Sequence, residues 1–400
     1  MSDKKNILVV TTSFPRFEGD VVGGGGFIYE LCQTLKGTYN IFVLAPAMEG
    51  TTAQNRINGI YVKRFNYLPQ KWSGLIGKSS IIENLRINKS KLFLIPLFLT
   101  FNLISILQLV KKNKIDLIHA HWTIPSGFIA ILYKIFFNDK LKILVTAHGS
   151  DINISWGIIG RIINKFVIKK ADSITVVSKE LGDKVLKLGY KNKIEVIPMG
   201  INTDLFRPIF DDKLKQSFDI NGFMLLFVGI FNKVKGIEYL LAAMPTVLKK
   251  IPDCKLVLVG DGDIKVKLET MCVHLGIQNN VIFTGYISHD ELPRYYSSAD
   301  LVVLPSLSEG SPLVLPEALS CGALVISSDL PIYQEHITDG KNGFIVPGKN
   351  SILLANKVIE ILTSLMKYGS IRENNPAYIM EKFGWNQIGN KYNKMIEKIS

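Results

Sequence analysis

Cysteine is scarce: the 400 residues hold only Cys32, Cys254, Cys272 and Cys321. No CxxC and no Cys/His metal spacing joins them, and so few thiols in so long a chain make no disulfide framework. A zinc module and a disulfide-stapled secreted scaffold are thereby excluded. No export leader is expected either, because the start MSDKKNILVV has too short an apolar run for a signal peptide and passes straight into a strand pattern. A cytoplasmic location is expected. Signatures of RNA-recognition motifs, zinc fingers and helix-turn-helix units are absent too. The formal net charge of +13 therefore points away from nucleic acid and towards an anionic surface or acidic acceptor, unless the lysines are merely solvated.

Acidic residues are short in one half only. Residues 1–207 carry 28 Lys+Arg against 14 Asp+Glu, and residues 208–400 carry 19 against 20, so the first half holds the whole surplus. Charge is missing altogether from residues 92–110, LFLIPLFLTFNLISILQLV, a run long enough for a membrane span. Pro96 and the polar series Asn102, Ser105 and Gln108, which shares one helix face, favour instead a helix packed on its domain. A span would also separate strands 6–12 and 115–120, which should pair in one sheet. Contact of this helix with a membrane surface stays open, and with it a peripheral position on the inner face of the cytoplasmic membrane.

With 47% hydrophobic residues, a chain of this length can bury two cores. Short apolar runs such as NILVVTT, IDLIHA, FMLLFVGI and DLVVL alternate with helical patterns, giving about seven strands in the first half and six in the second. The expected fold is α/β, with two units of mostly parallel sheet and a cleft between them. A linker rich in turn residues, PMGINTDLFRP, places one domain at 1–200 and the other at 208–380.

The stretch from Pro305 to Gly322, PSLSEGSPLVLPEALSCG, carries the chemistry. It follows the strand DLVVL and runs into the helical pattern LVLPEALS, and in an open parallel sheet ligands sit beyond the strands' carboxyl ends. Helix-start N–H groups, here of Leu313 and Val314, suit a diphosphate. Glu309 and Glu317 suit the diols of sugar and ribose, with Gly310, Ser311 and Pro312 shaping the turn between them. Spacing alone leaves open the plainer reading, in which Glu309 complements the helix dipole and Glu317 is solvated. Lys235, in FNKVKG after FMLLFVGI, can reach a phosphate at the same edge, while Lys233 reads as solvated. Asp261 and Asp263 in GDGD read as a turn rather than a metal site. Gly23 to Gly26 form a glycine loop between strand and helix, but without GxGxxG and without the acidic residue of a dinucleotide fold. His119 and His121 in HAHW, and His148 in TAHGSD, are placed at strand ends facing the cleft, where hydrogen-bonded structural roles and functional ones both remain open.

With its flanks, EGSPLVLPEALSCGALVIS closely resembles the E-x7-E motif of retaining glycosyltransferases of family 4, which have the GT-B fold of two Rossmann-like domains facing across a central cleft. The ordered set GGGG, HG, VG-x5-KG and E-x7-E extends the resemblance over essentially the whole chain. It implies a nucleoside diphosphate sugar as donor substrate, held mainly by the second domain without a metal, and no cofactor. It implies donor or acceptor contact for Gly24 and Gly25, a place near the reacting sugar for His148, and a base pocket bordered by Gly285 and Tyr286. Asp151 would touch acceptor or cap the next helix. Ile230 replaces the arginine that many members carry after the glycine matching Gly229. The last helix, from Phe383, would return to the first domain. His148, Glu309 and Lys235 are the expected catalytic residues, and Glu317 would bind ribose. The acceptor would be a glycan or lipid-linked hydroxyl on the first domain, in cell-envelope glycan, polysaccharide or glycolipid synthesis. A GT-B-type sugar-nucleotide epimerase and a non-catalytic partner subunit are the alternatives.

Overall fold

In the computed structural model the first strand, β1 (Asn6–Val10), lies at the centre of a parallel-rich sheet. The structure describes residues 4–20, 25–69, 75, 84–85, 88–153, 157–209, 211, 213–310 and 312–399. Two units divide the chain: Met1–Gly200 with Trp385–Ser400, and Ile201–Gly384.

The first unit adds β2 (Asn40–Pro46), β3 (Gln54–Ile57), β4 (Ile60–Phe65), β5 (Leu117–His121), β6 (Lys142–Ala147), β7 (Ser173–Val176) and β8 (Glu195–Val196), ordered β3-β4-β2-β1-β5-β6-β7-β8. All pairings are parallel except β3 with β4. That hairpin turns at Asn58 and Gly59, both at positive φ, as a two-residue hairpin turn demands.

Helix α1 (Gly26–Leu35) crosses leftward from β1 to β2. Helices α2 (Leu94–Asn113), α3 (Phe128–Phe137) and α4 (Gly157–Lys170) make the rightward crossings to β5, β6 and β7. Right-handed connections put these three on the face opposite α1, and α2 packs on α3, and α3 on α4. Helix α5 (Lys179–Lys187) follows β7, capped by Ser178, whose hydroxyl accepts from the Leu181 N–H.

Helix α2 is long and apolar enough to cross a membrane, yet it is tied to the first unit. Phe98 packs edge-on against Phe65 and Tyr67. Asn102 and Ser105 are buried, while Leu97, Phe101 and Ile104 are exposed. Two members of the polar series thus face inward, and the apolar residues face out.

The second unit holds β9 (Met224–Val228), β10 (Lys255–Val259), β11 (Val281–Gly285), β12 (Leu301–Leu304), β13 (Val325–Ser328) and β14 (Phe344–Val346), all parallel in the order β11-β10-β9-β12-β13-β14. Helices α6 (Ile237–Lys250), α7 (Lys265–His274), α8 (Leu292–Ser298), α9 (Val314–Ser320), α10 (Ser351–Leu362) and α11 (Gly369–Phe383) belong to it. Buried side chains fill both faces of the sheet: Leu240, Met244, Val358 and Ile361 on one, and Tyr296, Leu315, Leu319 and Ile379 on the other.

The last helix, α12, runs Trp385–Ile399. Phe383, expected to open it, instead closes α11, because the chain breaks at the extended Gly384. Ile388, Tyr392, Met395 and Ile396 of α12 join the core of the first unit beside α1. Each fully buried side chain of this size contributes about 1.5–3 kcal/mol, so four of them fasten the chain's return.

Candidate functional site

In the second unit the site residues gather on loops at the carboxyl edge of the sheet. The strand ends are stitched there by backbone bonds from Gly229 N–H to the Val259 carbonyl (3.0 Å) and from Gly260 N–H to the Gly285 carbonyl (2.9 Å). After Gly229, the exposed Ile230 leads to a 3-10 turn at Lys233–Lys235. Gly236 ends that turn at φ 64°, where a Cβ would lie 2.2 Å from the Pro305 carbonyl oxygen. Only glycine lets this loop press so closely on the loop after β12. A bond from Leu307 N–H to the Val234 carbonyl (2.7 Å) joins the same two loops.

That closeness sets Lys235 against Glu309. Lys235 Nζ donates to Glu309 Oε1 at 2.7 Å, the same oxygen accepts from Ser306 Oγ at 2.7 Å, and the Tyr333 hydroxyl adds a third bond at 3.2 Å. Both charged side chains are largely buried, so the pair is shielded more than a surface ion pair would be. Lys233, by contrast, is exposed. Burial, followed by the Glu309 charge, holds the Tyr333 phenol well above its ordinary value, so it remains a donor.

Glu317 lies one turn into α9. It is only 4% exposed, which sets aside the solvated-residue reading. Its Oε2 accepts from the Tyr296 hydroxyl at 3.0 Å, and Oε1 lies 3.2 Å from His289 Nε2. Tyr296 is itself held well above its ordinary value, by burial first and then by Glu317. Pro312, Leu313 and Val314 lead into α9, half-buried, and a helix's first N–H groups have no partners within it. Gly310 and Tyr286 are exposed. Asp261 turns on itself, its Oδ1 accepting from the Gly262 N–H at 2.7 Å. Ser311 and Gly24 lie outside the described residues.

In the first unit, β5 and β6 bring the histidines together. His121 is the last residue of β5, at the strand end as expected, and His119 lies two residues inside the strand; both are fully buried, which corrects the expectation that they face the cleft. Alternation along the strand puts both on one face. His119 Nε2 lies 2.7 Å from Thr146 Oγ1, and His121 Nδ1 lies 3.0 Å from His148 Nε2. Tyr392 of α12 lies over the His119 ring. Burial pushes His119 and His148 down to about 3, with repulsion from His119 added for His148. His121 is held well below its ordinary value by burial and then by its two neighbours. All three imidazoles are therefore neutral near pH 7, each with one N–H and one acceptor nitrogen.

His148 is the least enclosed of the three, its ring near Trp122 and Phe27 at centroid distances of 4.8 and 5.2 Å. Asp151 beneath it is buried, with Oδ1 accepting from the N–H groups of His148 (3.2 Å) and Gly149 (2.9 Å), and Oδ2 from the N–H of Thr123 (2.7 Å). Its carboxylate thus clamps the histidine loop to the loop after β5. Gly25 begins α1 at φ 73°, where a Cβ would meet the Ser13 carbonyl oxygen at 2.3 Å, so its missing side chain serves the chain's own packing.

His289, Tyr296, Ser306 and Tyr333 were not foreseen from the sequence. Tyr296 precedes Glu317 by 21 residues and Tyr333 follows Glu309 by 24, and no periodicity links such pairs.

Comparison with known proteins matches the model described as Glycosyltransferase Family 4 over residues 21–205 and that described as Glycosyl transferases group 1 over residues 210–377. An uncharacterized glycosyltransferase of Methanocaldococcus jannaschii is 30% identical over 314 residues, covering 73% of this chain and 79% of the relative. Sucrose-phosphate synthase from Thermosynechococcus elongatus has the same fold, with TM-score 0.81 at 22% identity and 99% of each chain covered. Anabaena HepE in complex with UDP superposes with TM-score 0.76 at 19% identity, over 98% of this chain and 100% of HepE.

Proposed function

As a member of glycosyltransferase family 4, within the glycosyl transferases group 1, the chain is a retaining, nucleotide-sugar dependent enzyme, and we propose that its second unit holds the donor while its first unit serves the acceptor. The Lys235–Glu309 ion pair carries this reading. It sets a cation beside a carboxylate on the loop that leads into α9, at the sheet edge where such folds bind ligands.

In the proposed transfer the bond from the anomeric carbon to the diphosphate oxygen breaks, and the acceptor oxygen bonds to that carbon on the same face. The acceptor's proton leaves with the diphosphate. Lys235 retains two N–H donors beyond Glu309 and, with the N–H groups of Leu313 and Val314, offsets charge on the departing diphosphate. The second oxygen of Glu309 is left for donor-sugar hydroxyls. Glu317, oriented by Tyr296 and His289, takes ribose hydroxyls. Gly229, Gly285 and Tyr286 border the nucleotide, with Gly310 and Pro312 turning the loop around it. Neutral His148 gives the first unit a hydrogen-bonding group, not a cation, for handling the sugar.

The acceptor is proposed to be a glycan or lipid-linked hydroxyl in cell-envelope synthesis, met in the cytoplasm. The charge supports this: the first unit carries 30 Lys+Arg against 14 Asp+Glu, and the second 17 against 20. A panel of nucleotide sugars incubated with and without a lipid extract, with products read by mass, tests the proposal. Acceptor-dependent transfer is expected. Donor isomerised without acceptor would make the protein an epimerase, and no turnover with intact nucleotide binding would make it a partner subunit.

A further inference from the structure

The first unit exposes thirteen large hydrophobic side chains among its described residues, and eight of them sit on two helices. Five belong to α2 and the 3-10 turn Lys89–Phe93 before it, led by Phe93 at 84% exposure. Three belong to the start of α4: Ile158, Ile159 and Ile162, with Ile158 at 81%. Ordinary surfaces scatter such residues singly, and clustering marks a contact site.

Both clusters lie toward one end of the helix layer, while the exposed Ile135, Phe136 and Phe137 close α3 at the opposite end and belong to neither. A crossover helix runs antiparallel to its parallel strands, so α2 and α4 begin at the carboxyl edge of the first sheet, the edge from which His148 follows β6. Helix α3 lies between them, so the two apolar tips stand about 20 Å apart, two interaxial spacings. Two separated tips on one side match a broad planar partner better than a single peptide in a groove.

The charge names that partner. Neither Lys89–Asn113 nor Gly157–Lys170 contains an aspartate or glutamate, while Lys89, Lys91, Arg161 and Lys165 accompany the apolar tips. The nearest carboxylate in sequence to the α4 tip, Asp151, is buried and hydrogen bonded inward. A second copy of this chain would set like charge against like, which disfavours a self-dimer through this face. An anionic bilayer complements it, drawing the basic residues to its headgroups while the apolar side chains enter the interface.

We propose that the starts of α2 and α4 form a docking surface for an anionic lipid bilayer, which brings the carboxyl edge of the first sheet to the membrane. This rests on the reading of the first unit as the acceptor side and narrows the acceptor to one presented at a lipid surface.

The test is flotation of the full chain with vesicles of phosphatidylglycerol and phosphatidylcholine, and with vesicles of phosphatidylcholine alone, at low and high salt. Preferential binding to the anionic vesicles, weakened by salt, is expected. Each basic residue at such a surface is worth about fivefold in affinity, so Arg161→Gln with Lys165→Gln should cost roughly 25-fold. Ile158→Ser, Ile159→Ser and Ile162→Ser together, or Phe93→Ser with Leu97→Ser, should abolish binding, whereas Val266→Ser with Met366→Ser on the second unit should leave it unchanged. Binding unaffected by either tip, equal binding to both vesicle types, or wild-type self-association that the tip substitutions abolish without any vesicle binding would each overturn the proposal. Nucleotide affinity measured on the same preparations separates the two readings. Variants that lose vesicles but keep nucleotide support docking, and a wild type without nucleotide affinity removes the donor reading while leaving docking in place.

Discussion

Acidification should destabilise the first unit more than the second. His119, His121 and His148 are enclosed together and neutral in the folded state, with His119 and His148 pushed down to about 3 and His121 held well below its ordinary value. In the unfolded chain each returns to about 6.5. Below that value the unfolded state binds protons that the folded state refuses, so stability falls with falling pH. The loss begins near pH 6.5 and continues until the folded-state values near 3 are reached. One unit of proton affinity is worth 1.36 kcal/mol, so at pH 5 His119 and His148 together cost about 4 kcal/mol, and His121 adds to that loss. A domain of this size holds about 5–15 kcal/mol in total, so the loss takes much of the margin. Urea unfolding followed between pH 7.5 and 5, with fluorescence from Trp122 and Trp385 of this unit, measures it. His336 of the second unit is pushed down to about 4 by burial, a single group beside three, so the second unit should lose less. First-unit stability that stays flat from pH 7 to 5 would show that the cluster accepts protons while folded, and would refute the account of neutral imidazoles.

Further outcomes follow from the same geometry. Glu317→Ala should weaken nucleotide binding ten- to a hundredfold, since a hydrogen bond to a charged group is worth about 1.5–3 kcal/mol, while Glu309→Ala should chiefly lower turnover; calorimetry beside steady-state rates separates them, and unchanged nucleotide affinity in Glu317→Ala rejects the ribose assignment. Transfer should persist in excess chelator, because Lys235 and the first N–H groups of α9 offset the diphosphate charge; complete loss restored by magnesium or manganese would overturn that account. Ile388→Ala, in a fully buried position of α12, should cost the first unit about 2–5 kcal/mol, read as a lower urea midpoint with nucleotide affinity retained.

Where side chains lie along a strand or helix, the sequence was legible. Apolar runs such as NILVV and KLVLV are buried on both faces, as parallel strands between helix layers must be, and they announced the α/β class. The strands were undercounted by one in the first half. Residues Gln54–Phe65 form a hairpin whose polar, lysine- and arginine-bearing strands lack a continuous apolar run, although Asn58-Gly59 is the turn signal that such a hairpin needs. The inward turn of Asn102 and Ser105 was hidden for another reason. Helical spacing shows that they share a face, but which face meets the core depends on the neighbouring helix, and a largely uncharged run such as α2 has no polar side to settle it.

The site divides along the same line. Loops after strands could be placed at the carboxyl edge from order alone, because every parallel strand delivers its loop there. The contacts made within that edge could not. Lys235 and Glu309 are 74 residues apart, and they meet because Gly236 lacks a side chain where its backbone presses on the Pro305 carbonyl of the facing loop. Read singly, the lysine was a phosphate ligand and the glutamate a sugar ligand. Paired, each also satisfies the other before any donor arrives, and Ser306 and Tyr333 fix the carboxylate further. An ion pair this shielded leaves each partner costly to remove alone. A donor phosphate must then share Lys235 with Glu309 and cannot claim a free cation. The pair therefore orders the loop ahead of α9 in the absence of ligand, which lowers the ordering cost that binding would otherwise incur.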